Sequence, residues 1–305
     1  MNEDMKSNNR IDLYEMKAGG VKTQEEYSDL GFYLAGLIEG DGNIWIPKSQ
    51  RSTKNELTYP SIAITFHRKE LPLFERIKCE LGGGYIYKSR SDNGCRFRIV
   101  KTEILIKVVN LINGKFRTPK INSLHKIIDF INIRHNLSIE KLPLNKDYLG
   151  SNPWLSGFVD ADGGFYIGLR GRYSIKNKDL NLPGVVICRF HLTQRITDKL
   201  TNESCIPFMT EIANYFTCKL YVSNHHNIAN MMVSNQNVLK IINDYFDRYP
   251  LMTSKYLNYL SFLEGMNYAR KCLSNDEIER IQFIKSGMNI ARSHYNWDHL
   301  NNFYK

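Results

Sequence analysis

Residues 34–42 read LAGLIEGDG and residues 155–163 read LSGFVDADG, two copies of a short apolar segment that each close on acidic residues and a glycine. Gly36 and Gly40 are four apart, as are Gly157 and Ala161, so on a helix each pair lies on one face. Small residues at that spacing let two helix backbones approach closely, with Leu34, Leu37, Leu155 and Phe158 filling the flanks. A twofold-related pair of such helices packs together and brings Asp41 and Asp162 side by side at the C-terminal ends. There each carboxylate faces the negative end of a helix dipole and the charge of the other, so a positive partner is needed. A divalent cation held by hard oxygen ligands is the natural remedy, Mg²⁺ rather than zinc. Gly42 and Gly163 then permit the sharp turn from helix into strand. Glu39 and Asp160, two residues earlier, point elsewhere and read as solvated or structurally bonded acids.

Each motif heads a series of segments in the same order. IAITFHRKE, VKTEILIKVVN and RTPK follow the first; FHLTQRITD, VSNQNVLKIIN and MTSK follow the second. The offset between matched residues grows slowly: 121 for Asp41 and Asp162, 128 for Thr65 and Thr193, 133 for Val100 and Val233, 135 for Lys120 and Lys255. Constant order with a drifting offset is the trace of a duplication followed by loop insertions. Each copy reads as helix, two strands, helix, two strands, helices. Ser28 or Asp29 is the expected cap of the first helix; Asn152 caps the second copy, with Pro153 at its first position. SIAITF alternates Ile62, Ile64 and Phe66 inward with Ser61, Ala63 and Thr65 outward, and VVICRFHLT does the same with Val186, Cys188, Phe190 and Leu192. The expected division is an N-terminal extension over 1–26, a first half over 27–134, a linker over 135–150, a second half over 151–295 and a tail over 296–305.

The 305 residues supply ample material for a core, and 42% hydrophobic with 24% charged residues is ordinary for a soluble globular chain. A formal charge of +10 leans toward a polyanionic partner. The six cysteines show no CxxC pair, which argues against zinc ribbons and redox motifs and fits reduced thiols inside a cell. The polar start has no secretory character, and no apolar run is long enough to span a bilayer, so no membrane partner is expected.

The paired nine-residue motifs and the repeat over roughly residues 27–295 resemble the single-chain LAGLIDADG homing endonucleases of organellar introns. The resemblance implies an α/β (α+β) fold of two pseudo-twofold-related αββαββα halves, each with a four-stranded antiparallel, saddle-like DNA-binding sheet, and the motif helices at the centre. It implies a monomer that hydrolyses both strands of a long, asymmetric DNA site, leaving short 3′ overhangs and promoting intron mobility. Asp41 and Asp162 would bind Mg²⁺, assisted by the backbone carbonyls of Gly40 and Ala161; Mn²⁺ is a possible substitute, and Ca²⁺ would support binding without cleavage. Lys120 in RTPK and Lys255 in MTSK match the lysines beside the scissile phosphate, where they stabilise charge or order the attacking water. Gln194 matches a water-organising polar residue, whereas the first half has Phe66 there, with His67 beside it, which implies two unequal sites. The family, together with a composition rich in Asn, Ile, Lys and Tyr, points to a mitochondrial setting.

A two-stranded ribbon enters the major groove, where base edges are distinguishable, while peripheral basic residues meet phosphates. Candidates on the outward face of the strands are Ser49, Arg51, Tyr87, Arg96, Arg98, Arg170, Arg172 and Arg189. LGGGYIYK (81–88) reads as a helix stop rather than a phosphate cradle, NHHN (224–227) as a loop between strands, and Ile278, Ile281, Ile284 and Met288 as core at helical spacing, with Ser274 as cap. An intron RNA maturase on the same scaffold is the alternative function, with intron RNA as partner. A non-catalytic DNA-binding regulator is disfavoured, because both aspartates are present.

Overall fold

The computed structural model of the protein describes residues 24–305 except 50, 177 and 270. The elements of the first half are α1 (Gln24–Asp41), β1 (Gly42–Trp45), β2 (Ser61–His67), α2 (Leu71–Leu81), β3 (Tyr85–Lys88), β4 (Gly94–Ile99), α3 (Thr102–Ile112) and α4 (Ile121–His135). The second half repeats them as α5 (Trp154–Asp162), β5 (Gly163–Arg170), β6 (Val185–Arg195), α6 (Ile206–Tyr215), β7 (Leu220–Ser223), β8 (Ile228–Val233), α7 (Gln236–Arg248) and α8 (Lys255–Met266). A further helix, α9 (Asn275–Ser286), has no counterpart among the described residues of the first half. Each half holds one four-stranded antiparallel sheet, ordered β1-β2-β4-β3 and β5-β6-β8-β7.

The alternation expected of the strands sets which face is dry. Ile62, Ile64, Phe97 and Ile99 are buried on one side of the first sheet, and Val186, Cys188, Phe190 and Leu192 on the same side of the second. Helices cover those faces. In the first half Phe74 stacks between Phe66 and Phe97; in the second, Phe165 meets Phe190, Phe246, Tyr259 and Phe262. The opposite face of each sheet is left to solvent.

Local signals end the elements where expected. Gly82 stops α2 in the left-handed conformation at φ 75°, which a residue without Cβ adopts freely. Asn235 caps α7, and Ser274 with Glu277 forms a full capping box on α9. NHHN is the turn between β7 and β8. The first helix starts earlier than the sequence suggests: it already runs at Gln24, so positions 28 and 29 lie inside it rather than at its start. Of the proposed extension over 1–26, residues 1–23 lie outside the described residues. Asn152 does accept a hydrogen bond from the Trp154 amide at 3.1 Å, but α5 begins one residue later than expected, so Pro153 takes the cap position rather than the first helical one. The last residues are part of the packed body: Phe303 and Tyr304 are buried, with their rings 5.7 and 5.0 Å from that of Tyr33.

α1 and α5 pack directly on each other through their glycines. A Cβ on Gly36 would collide with the Trp154 carbonyl oxygen, and one on Gly157 with the Tyr33 carbonyl oxygen. A Cβ on Gly40 would collide with the Ala161 Cβ and stand 2.9 Å from Asp162 Oδ2. The two backbones touch, and the contact is the same from either side.

Candidate functional site

The close approach of α1 and α5 delivers Asp41 and Asp162 to one place, at the point where each helix turns into the first strand of its sheet. Asp41 stands open to solvent on one side, but the crowd of protein behind it and then the Asp162 charge push its carboxyl up to about 6. Burial likewise raises Asp162, opposed by its Gln194 bond and by both lysines. Two acids held this close favour a cation between them.

Part of that positive charge is built in. Lys120, just before α4, sends its ammonium to the carbonyls of Ile38, Gly40 and Gly42 at 2.9, 3.2 and 2.8 Å. Lys255, at the start of α8, reaches Val159 and Ala161 at 3.1 and 2.7 Å. Each lysine therefore caps the C-terminal end of its own half's motif helix and offsets the dipole there. Burial lowers the pKa of both lysines, opposed first by Glu39 for Lys120 and by Asp160 for Lys255, then by the two site aspartates.

The Gly40 and Ala161 carbonyls, expected as metal ligands, thus already accept from lysines. A carbonyl oxygen has two lone pairs, so each keeps one for a cation. The donor set of two carboxylates and two carbonyls is all hard oxygen, which fits Mg²⁺ or a similar ion and not zinc. Among the described residues no group of three or more His, Cys, Asp or Glu side chains could hold a metal, so backbone, water or phosphate oxygens would complete the shell.

The site is not symmetric. Gln194 on β6 donates from Nε2 to Asp162 Oδ2 at 2.6 Å. The pairing of Gly42 with Ile64 and of Gly163 with Leu192 makes Phe66 its counterpart, and Phe66 turns inward to stack on Phe74. His67 is engaged in capping the turn that follows, accepting from the Lys69 amide at 3.2 Å. A cleft of about 430 Å³ opens on the Gln194 side, lined by Lys120, Gln194, Asp198 and Phe208 among others.

Glu39 and Asp160 are structurally bonded rather than solvated. Glu39 accepts from the amides of Arg117 and Thr118 and, at 2.6 Å, from the indole Nε1 of Trp154. Asp160 accepts from the amides of Met252 and Thr253, from the Thr253 hydroxyl, and from the phenol of Tyr33 at 2.9 Å. Trp154 and Tyr33 each belong to the half opposite the acid they serve. The signal was present in the numbering: Tyr33 and Trp154, like Glu39 and Asp160, are 121 apart, the spacing of the motif copies.

On the open faces of the sheets the register sets out rows of side chains. Arg98 pairs with Ala63 and Tyr85, and Arg96 with Thr65 and Tyr87, the Arg96 guanidinium bonding the Thr65 hydroxyl at 3.2 Å. In the second sheet Arg189 pairs with Tyr166, and Arg170 ends β5 exposed. Three candidates lie elsewhere than expected. β1 stops at Trp45, so Ser49 and Arg51 sit in the loop beyond it, with Arg51 turned back onto the Asn55 carbonyl at 2.8 Å. Arg172 lies in a 3-10 turn after β5, with its guanidinium over the Tyr173 ring at 5.4 Å. Tyr85, Tyr166 and Tyr221, absent from the sequence candidates, are 50%, 43% and 58% exposed. Lys285 of α9 and Arg189 both lie over the Tyr166 ring, at 5.9 and 6.0 Å.

The family model of the LAGLIDADG endonucleases matches residues 34–131 and again 155–266. The chain is 29% identical to the intron-encoded DNA endonuclease aI3 of Saccharomyces cerevisiae, an alignment covering 98% of this chain and 78% of that protein. It is 32% identical to an uncharacterized cox1 intron-2 protein of Schizosaccharomyces pombe, over 77% of this chain and 64% of that one. Among solved structures, the LAGLIDADG meganuclease I-CpaMI bound to uncleaved DNA matches with a TM-score of 0.65 at 21% identity, covering 85% of this chain and 99% of that one.

Proposed function

The chain belongs to the LAGLIDADG endonuclease family, and from that premise we propose that it is a site-specific double-strand DNA endonuclease that promotes intron mobility. The observation that carries the reading is the meeting of Asp41 and Asp162 at paired helix ends, flanked by Lys120, Lys255 and Gln194. A chain that only bound nucleic acid would have no use for two acids in this position, because they repel phosphate.

Asp41 and Asp162, with the Gly40 and Ala161 carbonyls, would hold Mg²⁺; Mn²⁺ would substitute, and Ca²⁺ would support binding without cleavage. The ion supplies Lewis-acid stabilisation of the phosphate and a more acidic bound water. Gln194 fixes the rotamer of Asp162 through its amide donor and leaves its own carbonyl oxygen free to orient a water. Lys120 and Lys255 keep positive charge beside the position a scissile phosphate would take, in surroundings that strengthen it. With Phe66 in place of a second Gln194, the two strands would be cut at unequal rates. The expected products carry short 3′ overhangs.

The open sheet faces are the proposed DNA surface, with Tyr87, Arg96, Arg98, Arg170 and Arg189 as contacts and Ser49, Arg51 and Arg172 approaching from loops. The charge of +10 supports a long phosphate-lined site. We place the protein, acting as a monomer, in the mitochondrion, a reading supported by a relative named for a cox1 intron. The test is cleavage of long duplexes carrying intron-insertion sequences, with Mg²⁺, with Ca²⁺ and with Asp162→Asn. Double-strand cuts at one sequence, absent with Ca²⁺ and in the variant, support the reading. Tight binding of intron RNA with no duplex cut would replace it with a maturase.

A further inference from the structure

We propose that Glu39 and Asp160 are positioning residues through which each half sets the site lysine of the other, by way of Trp154 and Tyr33. The proposal rests on the endonuclease reading above for its catalytic consequence, and on the contacts alone for the coupling itself.

The lysines do not stand on independent supports. Lys120 follows Thr118 by two residues, and the Arg117 and Thr118 amides are both held by Glu39. The Lys120 ammonium then returns to the carbonyls around Glu39 on the same helix end. Helix end, carboxylate, loop and lysine form a closed ring. Lys255 completes the matching ring with Asp160, Met252 and Thr253. Equivalent members are 121 apart on the helices and 135 apart in the loops, so the same ring is built in both halves.

Both rings are moored outside their own half. The indole of Trp154, from the second half, fills the remaining position on Glu39; the phenol of Tyr33, from the first, fills that on Asp160. Further ties cross in the same sense. Arg117 pairs with Glu211 at 2.7 Å and Asn122 donates to Glu203 at 3.0 Å, both acids in the second half. Ser254 donates from its amide and hydroxyl to Glu70 of the first half, at 2.8 and 2.5 Å. Glu39, Asp160, Trp154 and Tyr33 are all buried, where the low local dielectric strengthens hydrogen bonds and makes an unpaired polar group costly. The placement of Lys120 beside Asp41 therefore depends on the second half, and that of Lys255 beside Asp162 on the first.

The consequence is crossed. Trp154→Phe keeps the ring that stacks on Phe158 but removes the donor to Glu39; it should slow by about tenfold the nicking of the strand served by Lys120. Tyr33→Phe should do the same for the strand served by Lys255. Strand assignment comes from Lys120→Met and Lys255→Met, read on duplexes labelled at either end. A second arm needs no cleavage: hydrogen–deuterium exchange should rise at residues 117–120 in Trp154→Phe and at 252–255 in Tyr33→Phe, and not the reverse. Equal slowing of both strands, bias toward the variant's own half, or exchange rising in both loops together would overturn the proposal. A wild-type protein that cuts no duplex would overturn the endonuclease reading instead, and the exchange pattern would still decide the coupling.

Discussion

Replacing Gly36 with alanine asks how closely the motif helices must approach. The added Cβ would stand 2.8 Å from the Phe158 amide nitrogen and closer still to the Trp154 carbonyl oxygen. Both are backbone atoms, so no side chain can rotate away, and α1 and α5 must part by roughly 1 Å. Overpacking of this kind costs about 1–3 kcal/mol, and a gap of that size forfeits a quarter to a half of the dispersion energy at each contact it opens. The Trp154 bond to Glu39 and the Tyr33 bond to Asp160 span the same seam and would stretch with it. The expected loss is about 3–5 kcal/mol, a large share of the ~5–15 kcal/mol that holds a typical fold together. Urea unfolding of Gly36→Ala beside the wild type measures it. Gly287→Ala is the control, since a Cβ there meets only ordinary contacts at 3.7 Å and beyond and should change stability by less than about 0.5 kcal/mol. A Gly36→Ala protein within 1 kcal/mol of wild type, by the ~10% precision of such extrapolations, would refute direct backbone contact between the helices.

Asp41→Asn and Asp162→Asn should each lower cleavage at least about a hundredfold while retaining DNA binding, as plasmid cleavage and gel shift together would show; parallel loss of binding would mean a structural role. Gln194→Ala should slow one strand by about tenfold and leave the other near wild type, read as accumulation of nicked plasmid, and equal slowing would deny the asymmetry. Burial pushes Glu39 up to about 7 and Asp160 up to about 6, from ordinary values near 4.5 and 3.8. A folded-state pKa above the unfolded one gives stability that is complete below about pH 4 and lost as pH rises through about 7, by up to ~3 kcal/mol per group. Glu39→Gln should flatten the upper part of that fall in urea titrations from pH 4 to 8, and an unchanged slope would count against it. Arg189→Ala should relax base preference at particular pairs in a cleavage-based selection, whereas a uniform loss of affinity would mark a phosphate contact.

What could be read from the sequence was whatever is local or repeated. The period-two alternation placed Ile62, Ile64, Phe190 and Leu192 inward, and the duplicated motif placed the helices against each other with Asp41 and Asp162 at their ends. Lys120 and Lys255 were matched by spacing, but their grip on the helix carbonyls could not be seen, because it depends on how α4 and α8 return to the motif helices. Arg51 looked like a strand residue because NIWIPKSQR is apolar at its start; Pro47 lies in its path, and the strand ends at Trp45. For Glu39 and Asp160 the sequence left a solvated and a structurally bonded role open, and the bonded one holds. An acid near a helix C-terminus is usually a surface feature, and only the tertiary arrival of backbone and side-chain donors makes each one interior.

The two cross-half bonds share one plan but are no longer the same bond: a tryptophan with a glutamate on one side, a tyrosine with an aspartate on the other. An indole reaches its partner differently from a phenol, and the longer acid belongs with the indole. Neither half is therefore a ready mate for a copy of itself, and exchanging halves between relatives would mix a donor from one lineage with an acceptor tuned in another. The duplicated segments are thus joined as a matched pair rather than as two interchangeable copies.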